Sequence, residues 1–191
     1  MRLQIIAGRH KGKKLHVVKS ALLRPTTGMV RERLFNICRT QIEGALFLDL
    51  FAGVGACGLE AFSRGAEKVI FVERERRHVE AIRTNIATLS AEESCEILSQ
   101  DVFKACELLE RRSVRFDIIF ADPPYGDRDS SLSNEVLKLV DGGSLLREGG
   151  RLFLEDHQYA STYKEPLATL EKKKERYLGK ICLREFIKTG P

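Results

Sequence analysis

Residues 45–58 read Ala45-Leu46-Phe47-Leu48-Asp49-Leu50-Phe51-Ala52-Gly53-Val54-Gly55-Ala56-Cys57-Gly58, and the fold class follows from them. An apolar, strand-like run (45–50) meets the pattern G-x-G-x-x-G at Gly53, Gly55 and Gly58, and a helix-like run over 56–64 follows. Glycine at these places lets the chain turn sharply and lets a ligand approach the main chain. Beyond it, short apolar runs recur at 68–72, at 95–100 extending toward Asp101, at 116–121 and at 150–155. Helical patterns over about 75–89, 102–111 and 130–140 separate them. Such alternation predicts an α/β fold, a parallel sheet with helices on both faces. The last stretch, KKKERYLGKICLREFIK, holds two strand-like runs around a Leu-Gly-Lys turn and predicts an antiparallel hairpin closing the sheet edge. Its charged run Glu171–Arg176 fits a solvated edge that discourages aggregation.

Residues 1–44 read as an extension ahead of the main domain at 45–191. Residues 2–7 and 14–18 look like two short strands joined by the turn G-R-H-K-G-K. After Pro25, Thr26 or Thr27 is placed to cap a helix running to about Thr40, with Val30, Leu34 and Ile37 at helical spacing. The charge is uneven. Residues 1–40 carry ten basic side chains against one acid, Glu32, a net of +9. The remainder has 22 basic and 26 acidic residues, a net of −4. A basic arm on an acidic body predicts a polyanionic partner.

The 191 residues suffice for one α/β domain with a small extension, and 43% hydrophobic content is globular. No apolar run approaches the roughly 18 residues a membrane span needs. The basic N-terminus leads into no signal-peptide core, so a cytoplasmic protein is expected. The five cysteines form no C-x-x-C pair and the four histidines no H-x-x-H pattern. Neither a disulfide framework nor a metal site is expected.

The glycine turn has an acid 20 residues beyond Gly53. Glu73 ends the second strand at the spacing of a carboxylate that holds ribose hydroxyls. This fingerprint leaves a dinucleotide and S-adenosylmethionine both open. Asp49, just before the loop, favours the second, because a carboxylate there could hold the ammonium of its methionine part. Asp101 ends the third strand, placed to accept from an adenine amino group with Val102 and Phe103 beside the ring. It is equally placed to cap the helix that follows. Phe51, Ala52, Gly55 and Arg74 complete the expected cofactor set.

After the fourth strand comes Asp122-Pro123-Pro124-Tyr125. Two prolines end the strand and stiffen the turn, a suitable platform for chemistry. The Asp122 carboxylate and the Pro123 carbonyl could accept both N–H bonds of an amino group, and Tyr125 could stack on a base. A base amino group is a poor nucleophile because its lone pair is delocalised. Holding both N–H groups localises that density and orients the nitrogen toward the methyl donor. A paired base could not reach this turn and would have to be flipped out or lie in a loop. Asp122 therefore counts both as a catalytic residue, with Pro123, Pro124 and Tyr125, and as a cofactor neighbour. The expected reaction is methyl transfer from S-adenosylmethionine, leaving S-adenosylhomocysteine, without a metal.

With these residues assembled, the chain resembles the bacterial RsmD-type 16S rRNA guanine-N2 methyltransferases. The resemblance rests on IIAGRHKGKKL (5–15), LRPTTGMVRERLFN (23–36), LDLFAGVGACGLEAFSRGA (48–66) and DPPY (122–125). It implies a Rossmann-like class I methyltransferase fold, a seven-stranded sheet with the last strand antiparallel, preceded by an N-terminal hairpin and helix. It implies a guanine of 16S rRNA as acceptor, presented by an assembling 30S subunit, and a monomer with no membrane partner. Arg9, Lys11, Lys13 and Lys14 would then contact phosphates. Arg24, Thr26, Arg31 and Arg33 would border the active-site mouth. His10 departs from the family pattern, which has an aromatic such as tryptophan there.

Three rivals remain at this level. A DNA adenine-N6 methyltransferase shares D-P-P-Y but needs a recognition region larger than the roughly 25 residues after Tyr125 allow. An NAD-linked oxidoreductase leaves D-P-P-Y without a role. A non-catalytic ribosome-assembly module would keep the fold and dispense with Asp122.

Overall fold

The computed structural model describes residues 3–18, 28–124, 131–160 and 166–190. Its elements are α1 (Gly28–Ile37), β1 (Leu46–Leu50), α2 (Ala56–Ser63), β2 (Lys68–Val72), α3 (Arg76–Thr88), β3 (Cys95–Leu98), α4 (Val102–Arg111), β4 (Phe116–Ala121), α5 (Ser131–Gly142), β5 (Leu146–His157), β6 (Leu170–Leu178) and β7 (Ile181–Lys188). They build a seven-stranded sheet of order β3-β2-β1-β4-β5-β7-β6. Strands β1 to β5 are mutually parallel, and β7 runs antiparallel between β5 and β6. The predicted α/β alternation and the terminal hairpin, turning at Gly179, are both present.

One strand is longer than its sequence pattern suggested. β5 begins at Leu146, not Gly150. Leu146 pairs with Phe116, yet the next pair is Arg151 with Ile118. The intervening residues bulge out, with Gly149 at φ 74, so apolar periodicity fails there while the strand continues. β3 in turn stops at Leu98, two residues short of the predicted end.

The sheet divides two apolar layers by strand parity. Phe47, Val69, Phe71, Ile118, Phe120 and Phe153 face one cluster, shared with α1, α2 and α3. Leu48, Leu50, Ile70, Val72, Ile119 and Leu152 face the other, against α4 and α5. Ile5, Leu15, Val30, Leu34 and Phe35 from the N-terminal residues belong to the first cluster.

The N-terminal segment differs from the two predicted strands. A single antiparallel bridge, Gln4 with Lys14, joins its arms, supported by Ile5 N to Lys13 O and Leu15 N to Leu3 O. The reason lies in α2, which takes the main-chain donors of four residues between the arms. Ile6 N and Ala7 N donate to the Glu60 carboxylate, Arg9 N to Ser63 O, and His10 N to Ser63 Oγ. Gly8 makes this close approach possible, for at φ 83 a Cβ would lie 1.9 Å from Ser63 O. α1 ends at Ile37 rather than near Thr40. Its expected cap at Thr26 or Thr27 lies outside the described residues.

Candidate active site

The carboxyl ends of the parallel strands form one row. Leu50 pairs with Val72 and with Ala121, Val72 with Leu98, and Ala121 with Leu154. Glu73 and Asp122 each follow the last residue of a strand in this row, and Asp49 precedes one. By parity, Asp49, Glu73 and Asp122 fall on the side of α1, α2 and α3. β1 lies between β2 and β4, so chain order reverses beside it, the place where open α/β sheets bind ligands.

The glycine loop is held by a carboxylate that follows the neighbouring strand β2. The Gly53 amide donates to Glu73 Oε2 at 2.8 Å, and the Glu75 amide to Glu73 Oε1 at 2.8 Å. Each of these oxygens keeps a further lone pair for a ligand. Ala52 N donates to Val72 O and Gly55 N to Ala52 O, which ties the loop to β2 and to itself. Phe51 sits at φ 61, left-handed backbone that strains a bulky side chain. Gly58 serves a different need. A Cβ there would lie 2.4 Å from Cε1 of Phe71, so only glycine lets α2 pack this closely on β2.

Asp49 corrects an expectation. It is 1% exposed, and its Oδ2 accepts from the Gly58 amide at 2.8 Å. The carboxylate lies beneath the first turn of α2 and braces the loop rather than opening toward a ligand's ammonium. Burial pushes its pKa well above the usual carboxylate range; the Gly58 bond opposes this, while the charges of Asp122 and Glu73 add to it.

Asp101 caps α4, its Oδ1 accepting from Phe103 N at 3.0 Å. Phe103 is partly exposed, but Val102 is buried in the second apolar cluster. Its side chain is therefore not free to flank a ring, because α4 turns it into the core. Arg74 is exposed at the junction of β2 and α3. Asp122 is half-buried, with its amide directed at Leu50 O at 3.4 Å. Pro123 is buried and Pro124 exposed. Tyr125, Arg24 and Thr26 lie outside the described residues.

The basic residues separate into three settings. Arg9, Lys11, Lys13 and Lys14 are exposed on the turn at the far end of α2. α2 runs back from the loop for eight residues, so this turn sits about 12 Å from it along the helix. The Arg9 guanidinium lies 4.4 Å over the Phe62 ring, and His10 stacks on the same ring at 5.3 Å. Burial, with the charges of Arg9 and Lys13, lowers the His10 pKa and favours the neutral stacked ring. Arg33 is exposed on α1. Arg31 is the second correction, for it is 2% exposed and cannot reach a phosphate. Its guanidinium donates to Gln4 O at 3.2 Å and lies 3.5 Å from Glu60 Oε2. α1 packs its Arg31 face inward against α2, where Glu60 supplies the matching charge.

Sequence reasoning missed Glu60 and Asn85. Glu60 is fully buried and holds Ile6, Ala7, Arg31 and Arg64 together. Asn85 is fully buried between the N-terminal segment and the glycine loop. Each stands as a polar residue on an otherwise apolar helix face, which is the signal that could have found it.

The acids at the strand ends suit a ligand that carries positive charge and a ribose diol.

A sequence profile of the family described as "Conserved hypothetical protein 95" matches residues 3–187. The chain is 32% identical over 188 residues to "Ribosomal RNA small subunit methyltransferase D" of Haemophilus influenzae, covering 96% of this chain and 93% of that one. It superposes on the Escherichia coli protein yhhF with TM-score 0.84 and 29% identity over the full length of both. The 16S rRNA N2 G1207 methyltransferase of Thermus thermophilus, solved with AdoMet and guanosine, shares the fold at TM-score 0.72 and 22% identity. That match covers all of this chain and half of the other.

Proposed function

Because this chain belongs to the ribosomal RNA small subunit methyltransferase D family, we propose that it methylates the exocyclic N2 amino group of a guanine in 16S rRNA. S-adenosylmethionine is the donor, and the acceptor is presented by the 30S subunit or an assembly intermediate in the cytoplasm. The chain acts as a monomer.

The observation that carries this reading is the strand-end row, which sets Asp122 one strand from the glycine loop and two from Glu73. Adjacent strands lie about 4.8 Å apart, so the span from β2 to β4 is roughly 10 Å. That is the scale of a nucleoside with an amine beside it. Glu73 offers two oxygens, already aligned by backbone amides, to the ribose hydroxyls. Asp101 and Phe103 border the adenine end. When bound, the cofactor supplies an electrophilic methyl group on a sulfonium. Asp122 and the Pro123 carbonyl accept the two N–H bonds of the guanine amine and fix the nitrogen. The Asp122 carboxylate also stabilises the positive charge that develops there. Arg9, Lys11, Lys13, Lys14 and Arg33 contact phosphates of the same RNA.

Radiolabelled S-adenosylmethionine, offered to small subunits from cells lacking this enzyme, tests the reading. Label at one guanine, recovered as N2-methylguanine, is the expected result. No label in rRNA at any assembly stage overturns it.

A further inference from the structure

β5 runs past the row in which its parallel neighbours end. Leu154 is its last residue paired with β4, opposite Ala121, yet the strand continues against β7 as far as His157, opposite Ile181. The end of this extension is clamped. Gln158 N donates to Lys180 O at 2.9 Å, and Ala160 N to His157 O at 2.9 Å. The buried Arg184 donates to Asp156 Oδ2 at 2.8 Å and to Ala160 O at 3.2 Å. Tyr159 N donates to His157 Nδ1 at 3.3 Å, and the two rings lie 5.4 Å apart at 48°. Tyr159 is nevertheless 81% exposed. A lone exposed apolar side chain needs no explanation. A tyrosine fixed by its own backbone and by an adjoining ring is different, because it offers a large contact face at little entropy cost.

This aromatic pair stands at the carboxyl edge of the sheet, the edge that carries Asp122. One strand spacing across and two residues along put the His157 backbone roughly 8 Å from that of Asp122. The β6–β7 hairpin beside it holds seven basic and three acidic side chains over 170–188, a net of +4. Lys180, at the hairpin turn, is exposed next to Gln158. An exposed aromatic face beside positive charge fits the bases and phosphates of single-stranded RNA. A second copy of the chain fits poorly. Lys172, Lys173 and Lys174 are exposed along the outer strand β6, and edge pairing would set like charges against each other. We propose that Tyr159, supported by His157, stacks an unpaired base next to the target guanine, while Lys180 meets a phosphate of that strand. A guanine taken out of pairing leaves such a neighbour available. The proposal rests on the RNA methyltransferase reading above.

Tyr159→Ala and Tyr159→Phe, made in the full chain, test the proposal against unmodified small subunits. Loss of one stacked base should raise the Kd for subunits about 5- to 150-fold in Tyr159→Ala. Tyr159→Phe keeps the ring and should bind as the wild type does. The slope of log affinity against log salt should hold in both, because no phosphate contact is lost. Unchanged affinity for S-adenosylhomocysteine should mark an intact cofactor site. A second measurement uses only the wild type, so it stands even where a variant misfolds. Ultraviolet cross-linking of the complex, read by mass spectrometry, should join the peptide that holds Tyr159 to rRNA. Absence of that peptide, wild-type binding by Tyr159→Ala, or a loss in Tyr159→Phe equal to that in Tyr159→Ala overturns the proposal. So does a wild-type dimer that Tyr159→Ala dissolves in analytical ultracentrifugation, which gives the surface to a second copy. A wild type that labels no rRNA overturns the functional reading instead, and this inference with it.

Discussion

Glu73 Oε2 accepts the Gly53 amide at 2.8 Å, so the acid 20 residues beyond the glycine turn is bonded to that turn. The spacing that marks the sequence motif is the spacing of a physical contact. It fixes the loop before any ligand arrives, which lowers the ordering cost of binding.

Replacing Glu73 with Gln should therefore weaken the cofactor more than the fold. One oxygen becomes a donor facing a donor, and the charge is lost. The Kd for S-adenosylmethionine should rise about 10- to 150-fold, matching the roughly 1.5–3 kcal/mol of a hydrogen bond to a charged group. Isothermal titration calorimetry checks this; an unchanged Kd would remove Glu73 from the site.

Asp122→Ala should lower kcat by roughly 10²- to 10³-fold, the usual cost of losing one aligned group that stabilises charge in the transition state. Binding of S-adenosylmethionine should survive. Single-turnover methylation with saturating cofactor separates the two effects, and near-normal turnover would remove Asp122 from the catalytic machinery.

Charge reversal at Lys13 and Lys14 should weaken RNA binding at every salt concentration. The slope of log affinity against log salt should fall by about 2, close to one unit for each phosphate no longer neutralised. Affinity for S-adenosylmethionine should not move, because these residues lie at the far end of α2. An unaltered salt slope would place the RNA elsewhere.

Glu60→Ala should be among the most damaging single changes. It leaves Arg31 buried without its carboxylate and releases the Ile6 and Ala7 amides. Breaking a buried pair of this kind costs about 3–5 kcal/mol. Urea unfolding should show the loss, while Arg64→Ala, at the edge of the cluster, should show much less.

Asp49 gives a pH dependence. Its folded pKa is raised by burial, so from the ordinary value of 3.8 upward the folded state holds a proton that the unfolded state has released. That contribution to stability is complete below the unfolded value and is lost as pH rises through the folded one. Asp49→Asn should flatten the decline over that interval. Thermal melts at a series of pH values measure it, and identical slopes for both proteins would refute the assignment.

Much of this protein was legible because local rules carried it. The alternation of strands and helices, the terminal hairpin and the glycine turn each depend on a few adjacent residues. The end of β4 at Ala121 was legible because Pro123 and Pro124 cannot continue a strand. The bulge before Arg151 was not, since it follows from β4 setting the register of β5.

The order of elements and the acids that end them could be read along the chain, because backbone periodicity and turn chemistry act over short distances. Which charges face water emerged only from the folded packing. Arg31 and Arg33 look alike in sequence, yet one is sealed against Glu60 and the other is exposed. Asp49 and Glu73 stand at the ends of neighbouring strands, and both are buried, at 1% and 9% exposure. Burial depends on what packs from elsewhere in the chain, and the energy of a buried charge depends on a partner that no local pattern names.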